Sequence, residues 1–433
     1  MVNVGVIGKG GREHALGWNI AKDRDVDIVY YMPGNGGTEI ENKAENIKID
    51  PLNFPEIYDT IRTKGIDMLV VGPEEPLSKG IVDFLYKKGY TDIFGPDSEG
   101  SLIESDKFFS YDIMKDAGVP QAKGIKCHSL SEAKDAIKEF IKLYNDGVVI
   151  KARGLTEGKG VGVCNSLEEA LTQVEINMNK FRQDVLISKK LAGEEFSVFG
   201  ISDGEKAYPI ESSFQDHKPI FDNNKGPNTG GMGVAGPVSF APKKVIDEVI
   251  EKFMNPAIEE MNKRGIVYKG FLYAGVMKTK DGLRAIEFNC RFGDPEAQPA
   301  MMLMKNGIYQ PIKYALEGKL KDLKIEFKPG GVCCVIMASV GYPDNYSTGH
   351  LIKGIDEAEK LGTKVFHSGT ERNGSHVFSV GGRVLGVTAY SPKGVIQSKN
   401  LAYLGVGVID EYTNNKKKIL QYRTDIGLYA TKN

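Results

Sequence analysis

Net charge is almost absent from this chain. Lys and Arg number 56 against 57 Asp and Glu, for a formal net charge of −1 at pH 7. Binding to nucleic acid rests on a surplus of cations that displaces counterions from phosphates, so no nucleic-acid partner is expected. Cysteine is scarce, at five in 433 residues, and no C-x-x-C pair occurs. Cys127 has His128 beside it, but that pairing does not recur, which argues against a zinc site. Cys333 and Cys334 fall in the apolar run Val332–Val340 and read as core rather than as a redox pair. No uninterrupted apolar run is long enough to span a bilayer. No charged-then-apolar leader precedes the first strand. Internal repeats are missing as well. The expectation is a cytoplasmic chain with no membrane partner.

A chain of this length has room for about three domains. Residues 1–103 alternate strands with helices. One helix, 54–64, carries Phe54, Ile57, Tyr58 and Ile61 on one stripe. A helix over 105–117 closes at Gly118-Val119-Pro120. Residues 121–190 read as a small α/β unit, and 191–325 as strand-rich. From about 328 a last α/β piece follows, with a strand-like stretch at 332–340 and the run Gly381-Gly382-Arg383-Val384-Leu385.

Strand, glycine loop and helix open the chain: Val2–Ile7, then Gly8-Lys9-Gly10-Gly11-Arg12-Glu13-His14-Ala15. This is the anion-binding layout of a Rossmann-like unit. Glu13 stands where the third glycine of a dinucleotide fingerprint belongs. The next strand ends in Tyr-Met-Pro rather than in a ribose-binding acid. A dehydrogenase is therefore disfavoured, while a phosphate-bearing substrate is welcome. Pro33–Thr38 and Gly72–Leu77 follow the next two strands. All three loops are expected to gather at the carboxyl ends of the sheet.

Three later segments carry more chemistry. Val148–Arg153 is a strand ending in charge, followed by Gly154-Leu155-Thr156-Glu157-Gly158-Lys159-Gly160 and a β-branched run. This spacing is not a Walker A loop; it reads as a hairpin tip whose glycines let backbone N–H groups approach phosphate. Ser166-Leu167-Glu168-Glu169 fits a capping box opening a helix. Gly226–Gly233 (Gly-Pro-Asn-Thr-Gly-Gly-Met-Gly) has too few apolar residues to be core. Finally, Gly270–Lys278 and Leu283–Arg291 flank Thr279-Lys280-Asp281-Gly282, a hairpin signal. On the returning strand Glu287, Asn289 and Arg291 alternate and share one face, with Phe288 and Cys290 turned inward. A carboxylate, an amide oxygen and a guanidinium on one face pack poorly but suit a metal-bound phosphate.

Together these runs resemble the ATP-grasp superfamily and, within it, the glycinamide ribonucleotide synthetase family. Gln215-Asp216-His217-Lys218, Glu287–Gln298, His367-Ser368-Gly369-Thr370, Gly381–Leu385 and Arg423–Gly427 extend the resemblance over nearly the whole chain. It implies an α/β and α+β multidomain fold. A Rossmann-like N-terminal domain (1–103) would be followed by a two-lobed ATP-grasp core (104–325, small lid lobe 121–190) and a small C-terminal domain (326–433). It also implies a reaction: ATP, glycine and 5-phosphoribosylamine give glycinamide ribonucleotide, ADP and phosphate through glycyl phosphate.

By matched position, the resemblance assigns Glu287 and Asn289 to Mg²⁺ or Mn²⁺. Lys107, Lys151, Gly158, Lys159 and Gly160 fall to the ATP phosphates, and Glu195 to the nucleoside. Arg291, helped by Gly230 and Gly231, is assigned to the acyl phosphate, and Asp216, with His217 and Lys218 beside it, to the glycine ammonium. Gly10, Gly11, Arg12, Asn35 and Glu74 shape the phosphoribosylamine site, with Arg383 assisting. The chain departs from the family at Arg153, Pro219 and Asn224, and at Ser188-Lys189, which stands for an acidic pair at the adenine hinge. Met277 and its neighbours give the strand facing Glu287 no carboxylate. Two other readings are a ligase for another acid or amine and an ATP sensor, the latter disfavoured by Glu287, Asn289 and Arg291.

Overall fold

The computed structural model describes residues 1–144, 147–156, 160–415, 417–428 and 430–431. The chain opens with the parallel strands Val2–Gly8, Val26–Pro33, Ala44–Asn46, Met68–Val71 and Ile93–Phe94. Counted in chain order, they stand 3-2-1-4-5 across the sheet, so the first strand is central and its carboxyl end lies between two neighbours. The three loops meet there. The Gly34 N–H donates to the Gly8 carbonyl at 3.2 Å and the Gly72 N–H to the Ile7 carbonyl at 3.1 Å. The helix 54–64 forms as its pattern predicts, burying Ile57 and Ile61, with Asn53 as N-cap.

The helix expected over 105–117 spans Lys107–Asp116 and is capped by Asp106, whose carboxylate accepts the N–H groups of Phe108 and Phe109. Next comes a four-stranded antiparallel sheet of Gly124–Cys127, Val185–Lys189, Val148–Ala152 and Val161–Cys164. Helices Leu130–Leu143 and Leu167–Glu175 pack on it through their own small core around Ile137, Phe140, Val148 and Ile187. Ser166 caps the second helix by accepting the Glu169 N–H, while the Glu169 carboxylate accepts from Asn165 rather than from Ser166 itself.

A nine-stranded sheet forms the body of the molecule. Strand Glu194–Asp203 pairs with Ala207–Asp216 on one side and Lys269–Thr279 on the other, and Gly282–Asn289 completes that edge. Gly233–Gly236 then joins Ala207–Asp216 to Gly331–Ser339, which pairs with Arg383–Ser391. The sheet thus runs on from the strand-rich middle of the chain into its last hundred residues. Cys333 and Cys334 sit fully buried in it. The helix Val395–Asn414 covers this end. No helix among the described residues is long and apolar enough to cross a membrane.

Under the hairpin, Phe199 stacks on Phe292 at 4.2 Å, and Tyr273 and Phe271 meet these two rings edge-on. Each such aromatic pair adds roughly 0.5–1.5 kcal/mol beyond area burial. The cluster anchors the corner where the chain leaves the sheet after Asn289.

Candidate active site

Cross-strand register sets polar and aromatic side chains on one face. Residues directly opposite in an antiparallel pair project to the same side. Asn289, Tyr273 and Phe199 form one row; Glu287, Gly275, Ser197 and Phe214 form the next. Glu195 and Asp216 lie two residues further along their strands, on the same side.

The returning strand ends at Asn289, two residues short of its expected limit, so Arg291 lies beyond the sheet. It still reaches the site, because partners from elsewhere hold it. Its guanidinium donates to Glu104 at 2.7 Å and to Glu74 at 3.2 Å. Glu104 is buried and also accepts the Cys290 N–H at 2.9 Å. A bulge interrupts the hairpin: Gly275 faces Glu287 and Val276 faces Ala285, leaving Ile286 over. A bulge takes one residue out of the ladder. The freed Ile286 carbonyl accepts from Lys151 Nζ at 2.7 Å. Lys151 is thereby brought beside Glu287 from the small sheet, while Lys107 Nζ stands 3.8 Å from Glu287.

The electrostatics follow from this crowding. Burial pushes the Glu287 carboxyl up, but Lys107, Lys218, Lys151 and Arg291 outweigh it and hold it at about 2. Burial lowers the Lys151 amine to about 8, against the pull of Glu287. Glu74 is raised by burial, yet Arg291 and Arg12 hold it at about 2. Asp216 goes the other way: burial first, then the neighbouring Glu296, push its carboxyl well above the usual range. Asp216 Oδ1 is buried and meets no partner among the described residues. It is an acceptor suited to a cation.

Asp216 and Lys218 face the site, and Lys218 Nζ donates to Glu195 at 2.7 Å. His217 points to the opposite side, with Nδ1 at 3.2 Å from the Gly233 carbonyl. Gly231 lies against Asp216, since a Cβ there would come within 2.7 Å of Asp216 Oδ1. Arg383 Nη1 donates to the carbonyls of Gly230 and Asp294, each at 2.7 Å.

In the N-terminal loop, the Gly10 N–H donates to Glu13 at 2.7 Å. One backbone donor of the anticipated phosphate cradle is therefore committed to the chain's own carboxylate. Arg12 donates to Glu13 and to the Phe292 carbonyl, and Gly11 packs against Gln298 and Ser368. Asn35 is buried between the Lys9 and His367 carbonyls. At the hairpin tip, the Gly160 N–H donates to Thr156 Oγ1 at 2.9 Å; Gly158 and Lys159 lie outside the described residues.

The sequence assigns no site role to Glu104, Asp294, Glu296 or Tyr342. The acids at 294 and 296 carried a signal, standing in a run poor in apolar residues. Glu104, flanked by Ile103 and Ser105, carried none.

Glu287 and Asn289 offer two hard oxygen donors on one face, and one of them stays ionised. No group of three or more His, Cys, Asp or Glu side chains forms a metal cage among the described residues. That donor set fits a divalent ion that shares its coordination with phosphates and water.

Three family models match consecutive stretches. They are the N domain of phosphoribosylglycinamide synthetase (residues 2–104), its ATP-grasp (A) domain (105–297) and its C domain (332–429). A phosphoribosylamine–glycine ligase of Clostridium acetobutylicum is 40% identical over 389 residues, covering 89% of this chain and 91% of that protein. One of Rhodopirellula baltica is 38% identical over 396 residues, covering 89% and 90%. The crystal structure of phosphoribosylamine–glycine ligase from Thermotoga maritima superposes with a TM-score of 0.82 at 28% identity, covering 98% of this chain and all of that one. With its N-terminal, ATP-grasp and C-terminal segments all matched, the chain belongs to the phosphoribosylglycinamide synthetase family.

Proposed function

We propose that this protein catalyses the ATP-dependent ligation of glycine to 5-phosphoribosylamine, giving glycinamide ribonucleotide, ADP and phosphate, as a step of purine biosynthesis. One observation carries the reading: the face that brings Glu287 and Asn289 together also places Asp216 against the Gly230–Gly231 step. Family membership supplies the substrates.

A carboxylate cannot be attacked by an amine until its oxygen becomes a leaving group. Transfer of the γ-phosphoryl group from ATP to glycine achieves this. The amine of phosphoribosylamine then attacks the acyl carbon, the C–N bond forms as the C–O bond to phosphate breaks, and the amine's proton passes to the released phosphate. Such transfers need positioning and charge neutralisation more than a strong protein nucleophile. Lys107 and Lys151, with Gly158, Lys159 and Gly160, hold the ATP phosphates, and Glu195 reaches toward the nucleoside. Glu287 and Asn289 hold Mg²⁺ or Mn²⁺, which when bound neutralises phosphate charge. Arg291, its guanidinium braced by Glu104 and Glu74, faces the acyl phosphate; Gly230 and Gly231 line that side without donating to it, their N–H groups being taken by Tyr342 and Thr229. Asp216 takes the glycine ammonium, with Lys218 at its side, and His217 supports the strand from behind. Gly10, Gly11, Arg12, Asn35, Glu74 and Arg383 build the phosphoribosylamine side.

The domain limits that accompany this reading are 1–103, 104–325 and 326–433, with a lid lobe at 121–190. The chain acts in the cytoplasm on small molecules, as a monomer or weak homo-oligomer, and binds no nucleic acid.

The test is ADP release with Mg²⁺, glycine and freshly generated 5-phosphoribosylamine, each omitted in turn. Release that needs every component, with glycinamide ribonucleotide seen by mass, is the expected result. Release with another acid or amine would overturn the substrate assignment.

A further inference from the structure

The glycine-rich run 226–233 hangs on two parts of the chain. Three of its N–H groups stay local. Thr229 donates to the Lys218 carbonyl at 2.9 Å, Met232 to the His217 carbonyl at 2.9 Å, and Gly231 to Thr229 Oγ1 at 3.0 Å. Gly230 is different. Its N–H donates to the Tyr342 hydroxyl at 3.2 Å and its carbonyl accepts from Arg383 at 2.7 Å, groups 112 and 153 residues away in sequence. The same guanidinium stands 3.2 Å from Asp294 Oδ2.

Gly230 and Gly231 act as a thin spacer between this clamp and the site. A Cβ on Gly230 would meet Arg383 Cζ at 3.0 Å. A Cβ on Gly231, whose φ is +110°, would meet Asp216 Oδ1 at 2.7 Å and Pro295 Cδ at 2.6 Å. Tyr342 is itself well held. Its N–H donates to the Ser339 carbonyl at 3.1 Å and its carbonyl accepts from Gln421 at 3.1 Å. Its ring lies on Gly382, where a Cβ would come within 2.2 Å of a ring carbon. A phenol fixed at its base and along its ring holds its hydroxyl at a set height.

We infer that Tyr342 is a positioning residue for the ligation: its hydroxyl, together with Arg383, sets the Gly230–Gly231 step over Asp216, so the last third of the chain determines how glycine fits. The inference rests on the proposed function. Gly230 is exposed to solvent, so water takes over its N–H once the hydroxyl is gone. Loss of the hydroxyl therefore costs position rather than folding.

Tyr342→Phe in the full chain separates these effects. The expected result is a KM for glycine raised about tenfold, the scale of one lost hydrogen bond, with the KM for ATP and the thermal midpoint unchanged. Amide exchange in residues 226–233 should quicken by a similar factor. An unchanged glycine KM would overturn the inference. So would a joint rise in both KM values with a lowered thermal midpoint, which marks a merely structural role. If the wild-type chain consumes an acid other than glycine, the proposed function fails. The inference is then read on the KM for that acid and on exchange in 226–233, where an unchanged rate overturns it.

Discussion

Asn35 donates one amide hydrogen to the His367 carbonyl and the other to the Lys9 carbonyl, both at 2.9 Å. Its oxygen accepts the N–H groups of Gly37 and Thr38. A carboxamide has two donors and two lone pairs on oxygen, so this side chain is saturated by protein. It shapes the phosphoribosylamine loop without a hydrogen to spare for a ligand. His14 grips the same partner from the other side, its Nδ1 accepting the His367 N–H at 2.9 Å.

Asn35→Ala leaves several buried polar groups unpaired. A loss of about 2–4 kcal/mol is expected, at roughly 1–3 kcal/mol per buried unsatisfied group. A urea midpoint equal to wild type would show that the loop keeps its form without this amide.

Glu287→Ala removes the ionised oxygen donor of the face and leaves Lys107 and Lys151 facing each other. Turnover is expected to fall by about 10²-fold or more, because metal-assisted charge neutralisation is worth several kcal/mol. The same variant should lose the dependence of nucleotide affinity on added Mg²⁺. Turnover near that of wild type would remove Glu287 from the metal site.

Selectivity for glycine is steric. Alanine adds one methyl, worth roughly 1–3 kcal/mol in a closed pocket, so it should react some 10–200-fold less efficiently. Gly231→Ala should abolish glycine use, because the new Cβ meets Asp216 Oδ1 at 2.7 Å and the φ of +110° is strained for any other residue. Competition between the two amino acids, followed by product mass, checks the first expectation. Saturation kinetics of the variant check the second.

His14, His217 and His367 are buried. Burial lowers all three, His217 to about 4 with Arg423 as the next cause; for His14 the neighbouring Glu41 opposes the shift. The unfolded chain binds protons at these histidines as pH falls below about 6.5, while the folded chain binds fewer. The histidine contribution to stability therefore falls in acid, against the opposite slope of Asp216, Glu104 and Glu296, whose carboxyls burial raises. Each histidine contributes a slope of up to about 1.4 kcal/mol per pH unit, or about 4 for the three together. For His217 the window closes near its folded value of about 4. The wild-type unfolding midpoint should drop more steeply from pH 6.5 to 5 than that of a His217→Gln variant, which lacks one of these linkages. Parallel profiles would mean that the folded protein takes up the His217 proton.

Local signals determined much of this molecule. The stripe at 54–64, the serine cap at 166, the Asp281-Gly282 turn and the alternation at 287–289 each rest on chemistry within one turn or one hairpin. Glycine and carboxylate runs marked the site because such residues pack poorly into a core. Local sequence could not decide which distant groups complete it. The Ile286 bulge depends on how two strands pair, and it alone provides the carbonyl that draws Lys151 to Glu287. Arg291 was expected on the strand; its position is set instead by Glu104, 187 residues away. The grip of Tyr342 on Gly230 needs Gly233–Gly236 to pair with Gly331–Ser339, so that one sheet crosses from the middle of the chain to its end. Periodicity and turn chemistry act over a few residues. Register, and contacts between segments far apart in sequence, arise only when the whole chain packs.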